Sequence, residues 1–317
     1  MKRLIYAIIL SIVFVACGQS YEETKRLSRL ERQKQLRADS AALKIAVLPT
    51  LDCLPLFVAK DLNLFDSLGA DIRLKYFSSQ IDCDTALINK RVEGAVTDLV
   101  RMERIRRAGH DIFYSTATNA YWILLSNRNS RIKELKQLDD KMMAMTRYSV
   151  TDLLGEHAVD SAKLEQDKVY RVQINDVRIR LSMLKNNETD ARLLPEPQAT
   201  EAIAEKHKVL MDSRKLDWQM GVVAFRNIIA NDTSRQRQYD VFVKAYNMAC
   251  DSINKHGVKH YKPLVTKYCQ VKASTVDILK PLKYNHVAPP RDKDVEMARR
   301  WMEKKERELK KINNPGL

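Results

Sequence analysis

Glycine is scarce in this chain. Eight glycines stand among 317 residues, and no two lie close enough to make a G-x-G. Dinucleotide, P-loop and kinase phosphate cradles each need several glycines so that backbone can approach a phosphate, so those classes are excluded. G-x-S-x-G, H-E-x-x-H and C-x-x-C are absent too. Enzymes that announce themselves by one local motif are therefore mostly ruled out. Long apolar runs are also missing: Leu4 to Ala16 is apolar but falls short of the roughly 20 residues that a bilayer-spanning helix needs.

Acidic charge is in the minority. The formal net charge is +15, with 55 Lys and Arg against 40 Asp and Glu. Lys2 and Arg3 belong to a removable leader, which leaves about +13 on the mature chain. The basic residues are spread along the whole length and interleaved with acids, and no aromatic-studded basic stripe occurs. That pattern is a solvated basic surface and not a nucleic-acid footprint. Apolar residues make up 45% and charged residues 30%, a balance that permits sizeable cores.

The first residues set the compartment. Met1-Lys2-Arg3 is a basic start, Leu4 to Ala16 an apolar core, and the run ends Phe14-Val15-Ala16-Cys17-Gly18. A small residue before a cysteine at that point resembles the lipobox of bacterial lipoproteins. By that resemblance 1–17 is a signal peptide, and Cys17 becomes the lipidated N-terminus that holds the protein to a membrane of the cell envelope. Phe14 stands where a leucine is usual. An ordinary signal peptide would also mean export. Four further cysteines, Cys53, Cys83, Cys250 and Cys269, form an even set in an oxidising compartment, which favours disulfides and leaves three pairings open.

Residues 18–42 are nearly all polar or charged, with only Leu27, Leu30 and Leu36 large and aliphatic. This reads as a tether, helical or not, between anchor and folded body. From Leu43 the texture changes. Strand-like LKIAVL, DIRLKYF, GAVTDL and DIFYSTA alternate with amphipathic stretches, among them Leu54 to Leu64, a helix starting behind Asp84, and LVRMERIRR. YWILLS, KMMAMT, VYRVQI, DARLLP and QMGVVAFRN are strands in a second block, separated by helices at 150–160, 177–185 and 199–206. After residue 227 the pattern is mostly helical. Alternating β and α with short loops predicts mostly parallel sheets flanked by helices, and two such blocks predict two domains.

The segment LKIAVLPTLDCLPLFVAKDLNLFDSLGADIRLKYFSS, followed by ALINKRVEGAVTDL, resembles the opening of the NMT1/THI5-like and sulfonate/taurine-binding group of extracytoplasmic solute-binding proteins. Ala59, Lys60, Leu64 and Phe65 match the A-K-x-x-x-L-F pieces, and Glu93 to Asp98 matches the G-x-x-D-A-A-V-T-D-like strand. IKELKQLDDKMMAMT and LKNNETDARLLPEPQATEA resemble two later segments of that group. Order and spacing hold over about residues 43 to 260. Asn63 and Asn187 stand where the pattern has glycine.

The resemblance implies a two-domain α/β fold of the type II periplasmic-binding-protein class, with a ligand cleft between the domains. Domain 1 would be 43–119 and 227–317, and domain 2 would be 120–226. The protein would be a monomer without cofactor, metal or catalysis, handing a small solute to an ABC permease and its ATPase. Loops after strands line such a cleft. They hold Thr50, Asp52, Ser78, Ser79, Asp82, Thr97, Asp98 and Asn119 from the first domain, and Arg147, Tyr148, Ser149, Thr151 and Glu196 from the second. Asp82, Asp84 and Asp98 have a plainer alternative as helix N-caps. Backbone NH groups near Thr151 would suit an anion, whereas Asp52, Asp82 and Asp98 would repel a sulfonate and suit a neutral or cationic nitrogen heterocycle. Arg147 pulls the other way. Within this fold Cys53 and Cys83 follow neighbouring strands and Cys250 and Cys269 follow one another, so those are the expected disulfides.

His256 and His260 are separated by a helix-breaking Gly257, and no third metal ligand is evident. The C-terminal stretch from Asp292 is a charged amphipathic helix expected to turn Val295, Ala298, Trp301 or Met302, and Leu309 inward. Pyrimidine synthases of the wider family share the fold, but they are cytosolic and carry a cysteine-rich motif missing here. Two alternatives remain: a sulfonate/taurine-type anion-binding protein, and a surface lipoprotein that has lost its cleft and serves as an interaction module.

Overall fold

The computed structural model describes residues 21–313. Helix α1 (Tyr21–Ala41) forms a unit of its own, with Leu27 and Leu30 exposed. The body begins at Leu43. It runs β1 (Leu43–Val47), α2 (Leu54–Asp61), α3 (Leu64–Ser67), β2 (Ile72–Tyr76), α4 (Gln80–Ile88), β3 (Gly94–Asp98), α5 (Leu99–Arg107) and β4 (Ile112–Ala117). The next elements are β5 (Trp122–Ser126), β6 (Lys141–Met145), α6 (Val150–Ser161), β7 (Val169–Gln173), α7 (Val177–Lys185), β8 (Ala191–Pro195), α8 (Gln198–Ala204) and β9 (Lys208–Asp212). The chain ends with β10 (Gly221–Arg226), α9 (Thr233–His256), α10 (Lys262–Cys269), α11 (Ala273–Asp277) and α12 (Asp292–Asn313).

Two five-stranded sheets result, ordered β2-β1-β3-β10-β4 and β7-β6-β8-β5-β9. In each, one strand runs against the others: β10 is antiparallel to β3 and β4, and β5 to β8 and β9. Both reversed strands come directly after the chain crosses between sheets. The central strands β1, β3, β5 and β8 are buried at every position, which is why they read as unbroken apolar runs and not as alternation.

The chain leaves the first lobe between Ala117 and Trp122 and returns between Asp212 and Gly221. β10 thus belongs to the first sheet, so the return precedes residue 221 and does not follow 226. The crossings touch closely: the Thr118 amide donates to Gly221 O at 2.9 Å. A Cβ on Gly221 would fall 2.2 Å from Thr118 Oγ1 and 2.6 Å from Ala120 Cβ. β9 is an element missing from the sequence reading; it is an edge strand with no fully buried position.

Asn63 and Asn187 explain the two missing glycines. Both adopt the left-handed conformation, at φ 54° and 60°, which asparagine tolerates better than other residues with a side chain.

Several expectations are corrected. Helix α4 begins at Gln80 with Ser79 as its N-cap, not behind Asp84; Ser79 Oγ accepts the Asp82 amide. Among the described residues no disulfide forms: Cys53, Cys83, Cys250 and Cys269 are free, buried thiols. Cys53 Sγ accepts the Leu48 amide, Cys83 lies in the core packing of the first sheet, and Cys250 Sγ donates to Asn285 O. Cys269, not Cys83, is the thiol whose charge bears on Cys53. Along α12, Ala298, Trp301 and Met302 are buried as expected, but Leu309 is exposed. His256 and His260 are exposed, their rings 4.9 Å apart and tilted by 31°.

Candidate functional site

The loops at the strand ends of the two lobes meet directly. In the first lobe, the chain after β1 makes a tight turn through Leu51–Cys53, capped by no side chain. In the second, β8 ends at Pro195, and Glu196 leads into α8. The Leu51 amide donates to Glu196 O at 2.9 Å across the lobes. Gln198, buried at the start of α8, donates through Nε2 to Pro49 O at 2.7 Å and to Cys269 O at 3.2 Å. A cavity of about 10 Å³ remains, lined by Leu51, Asp52, Asn119, Tyr121, Glu196 and Leu282 among others. That is room for about one water molecule.

Two carboxylates from opposite lobes flank this cavity. Burial pushes the Asp52 carboxyl above its ordinary range, although the Thr50 and Thr118 hydroxyls partly stabilise its charge. Burial raises Glu196 as well. Glu196 Oε1 accepts Tyr121 OH and Thr200 Oγ1, each at 3.0 Å, and Oε2 accepts the Thr200 amide at 3.1 Å. The Arg214 guanidinium lies over the Tyr121 ring at 4.2 Å. The tail between α11 and α12 closes the cavity from the hinge side. There Tyr284 OH donates to Leu51 O at 2.9 Å, and Asn119 Nδ2 donates to Lys283 O at 3.4 Å.

A second cluster joins β3 to α6. Asp98 is fully buried at the N-cap of α5. Its Oδ1 accepts the Arg101 amide at 3.0 Å and the Val150 amide at 3.2 Å, while Oδ2 accepts Gln80 Nε2 at 2.9 Å. Burial pushes the Asp98 carboxyl up to about 6, against the Arg101 charge that favours its ionised form. Ser149 Oγ accepts the Thr151 amide at 3.0 Å and donates to Thr146 O at 2.7 Å; the Ser149 and Thr151 hydroxyls lie 2.7 Å apart. The first amides of α6 are therefore satisfied by the protein's own side chains. This is where an anionic head group had been expected.

The sequence-derived residues thus separate into groups. Asp52, Asn119 and Glu196 share the central cavity, with Thr50 beside Asp52. Asp98, Ser149 and Thr151 make the inter-lobe cap, and Thr97 is buried in β3 with its hydroxyl unpartnered. Ser79 caps α4 and bonds Asp82 Oδ2 at 2.8 Å, while Ser78 supports Asp176 on the opposite lobe. Arg147 is exposed; only its carbonyl reaches across, accepting Arg101 Nη1 at 3.4 Å. Tyr148, at φ 53°, packs its ring under Arg104. Gln80, Gln198, Leu282 and Tyr284 were not found by sequence reasoning.

The model of the NMT1-like family matches residues 37–262. The chain belongs to the NMT1-like family. Solved structures that share the two-lobed fold of this family include the zinc-bound ligand-binding component of an ABC-type import system from Staphylococcus aureus. Its TM-score is 0.69 at 17% identity, over 81% of this chain and 89% of that one. The periplasmic aliphatic sulphonate binding protein SsuA from Escherichia coli gives 0.69 at 16% identity, over 84% and 87%. The desulfurization enzyme DSZB gives 0.58 at 14% identity, over 82% and 89%. No curated protein matches the sequence. Among the described residues no group of three His, Cys, Asp or Glu side chains is placed to hold a metal, and no helix is long and apolar enough to cross a membrane.

Proposed function

We propose that the protein is the exported solute-binding component of an ABC importer, anchored through a lipid on Cys17, and that its lobes close on a neutral or cationic nitrogen heterocycle. Cys17 itself lies outside the described residues. One observation carries the choice of ligand class: Asp52 and Glu196, on opposite lobes, flank one cavity, while the helix terminus that could receive an anion is already capped by Asp98. Buried carboxylates favour a ligand rich in N–H donors and disfavour a free sulfonate. Family membership and the two crossings support the closure mechanism, and neither needs catalysis by this chain. Handover to a permease with its ATPase follows from the same reading.

A second reading rests on the size of that cavity. Space for one water, sealed by a direct Leu51–Glu196 backbone bond, suits a surface lipoprotein that works by contact and not by carrying solute. Native mass spectrometry of the purified protein, followed by thermal shifts with aminopyrimidines, sulfonates and nitrate, separates the two. A pyrimidine-type adduct or shift that Asp52→Asn abolishes supports import of a heterocycle. Shifts with sulfonate alone would overturn the ligand class, and no adduct or shift would favour the contact reading.

A further inference from the structure

Strand β8 is buried at every position, yet its second residue is an arginine. Side chains two apart in a strand share a face. Arg192 therefore projects with Leu194 toward the small apolar core that also holds Leu125, Leu181 and Leu184. Leu125 is its register partner on β5. Helix α7 packs on β8 and adds a second buried arginine, Arg180. Only 2% of Arg180 and none of Arg192 is exposed. Neither lines the central cavity or the mouth between the lobes.

Arg192 Nη1 donates to Arg180 O, and among the described residues this is the one hydrogen bond from either guanidinium. Arg180 Nε and Nη1 and Arg192 Nε and Nη2 are buried with no partner. The acids whose charges favour the two arginines, Asp176 and Glu188, are committed elsewhere. Asp176 caps α7 through the Arg178 and Ile179 amides and pairs with the Arg178 guanidinium. Glu188 is exposed and accepts Asn186 Nδ2. Burial brings both guanidiniums down to about 10, and the Arg180 charge adds to the effect on Arg192. Both are still cationic at neutral pH. The first lobe solves the same problem with an acid, pairing its buried Arg101 with Asp84. Here two like charges share an apolar core and the protein supplies no counter-charge, an arrangement that calls for one from outside.

We propose that Arg180 and Arg192 bind a small inorganic anion of the halide type inside the second lobe, between α7 and β8. The unpartnered N–H groups of the two guanidiniums donate to it, and its charge offsets theirs. A monoatomic ion accepts from several directions at once, which suits a site closed to solvent. Every group involved belongs to one lobe. The site therefore needs neither lobe closure nor the cavity between Asp52 and Glu196, and it does not depend on an import role.

Crystals of the purified protein grown in bromide and measured at the bromine absorption edge test the site without altering the chain. An anomalous peak within hydrogen-bond distance of both guanidiniums is expected. Water on those nitrogens, or a carboxylate swung onto either arginine, with no peak between them, would overturn the proposal. Melting temperature, with gluconate exchanged for chloride at constant ionic strength, reads the same ion in solution. Wild type should gain roughly 5 °C as chloride rises to about a hundredfold above its Kd. Arg180→Met and Arg192→Met each remove one charge in an apolar side chain of similar length, and most of that gain should vanish in both. In gluconate Arg180→Met should melt no lower than wild type, because it removes an uncompensated charge. A wild-type melting temperature indifferent to chloride, or a gain that both variants keep, would sink the proposal. A bromide peak without the chloride gain would mean an adventitious ion only and would sink it too. Should either variant fail to fold, the bromide peak and the wild-type gain still decide.

Discussion

Asp98 on the first lobe and Val150 on the second are joined by a 3.2 Å hydrogen bond from the Val150 amide to Asp98 Oδ1. The same oxygen caps α5 through the Arg101 amide, so one carboxylate serves the N-termini of two helices that belong to different lobes. Helix N-termini favour a negative partner, and here that partner is internal. This arrangement ties lobe closure to the ionisation of one buried acid whose charged neighbours are Arg101 and Asp84.

A pH dependence follows. The Asp98 carboxyl rises from 3.8 in the unfolded chain to about 6 in the fold, chiefly through burial. Below 3.8 both states hold the proton and the fold keeps its full share of stability. Between 3.8 and about 6 the unfolded chain releases its proton first, and that share is lost as pH rises through this window. Asp98→Asn cannot ionise and still presents an oxygen to both amides. The stability difference between variant and wild type should therefore shift in the variant's favour across the window, by about 1–3 kcal/mol in total. Urea denaturation at a series of pH values measures it, and a difference that stays flat would remove Asp98 as the cause.

Behind Asp98 lies a buried ion pair. Arg101 meets Asp84 through both Nε and Nη2, with side chains only 3% and 7% exposed. Removing one member of such a pair leaves the other charge stranded, at a cost of about 3–5 kcal/mol, whereas replacing both with apolar groups is often neutral. Arg101→Met and Asp84→Leu should each destabilise by about that amount, and the double variant by less than either. A double-mutant cycle by urea denaturation decides it; additive losses would show that the two side chains do not act as a pair.

Much of the fold was legible because its central strands carry their burial in their composition. LKIAV, GAVTD, WILLS and ARLLP are mostly apolar runs too short for helices, and all but WILLS lead within a few residues into a helix. β9 was missed because an edge strand has little burial to advertise: Lys208 and Val209 are both exposed. The site was legible only as a set of strand ends. Asp52, Asn119 and Glu196 could be named because the fold puts those loops in one place. Asp98 reads as ligand or cap with equal reason, and nothing in its sequence neighbourhood marks the second helix it caps, on the other lobe. Leu282 and Tyr284 left no signal, because a tail that returns across a hinge has neither periodicity nor fixed spacing. The cysteine pairing failed because a buried thiol can be satisfied by backbone alone: Cys53 Sγ accepts the Leu48 amide and Cys250 Sγ donates to Asn285 O.

The thiols supply a simple check. Burial pushes Cys53 and Cys83 well above the ordinary thiol range, and Cys250 up to about 12. All four thiols of the body are free and buried. Since the thiolate is the reactive form, none of the four should be alkylated at neutral pH in the native protein, and all four should react once it is unfolded. Reduction should leave the intact mass unchanged. A mass increase on reduction would instead restore the disulfide expectation.

Helix α12 ties both lobes together. Its Lys304 and Lys305 each meet Glu156 of α6 at 2.5 Å on the second lobe, while Glu303 and Glu306 meet Arg107 of α5 at 3.3 and 2.6 Å on the first. Its first turn also holds the second crossing, through Lys293 to Asp217. Burial opposes the Glu156 charge, but the two lysines outweigh it and hold the carboxyl below its usual 4.5. Their contribution is present above 4.5 and lost as pH falls through the depressed value. The lobes cannot part around the crossings without either breaking these pairs or carrying α12 away from α5. Glu156→Gln should therefore cost about 1 kcal/mol near neutral pH, part of the attraction being screened at the exposed Lys304, and should broaden the solution-scattering profile toward a larger radius of gyration. An unchanged profile would mean that the Asp98 cap and the Leu51–Glu196 bond hold the lobes shut without the helix.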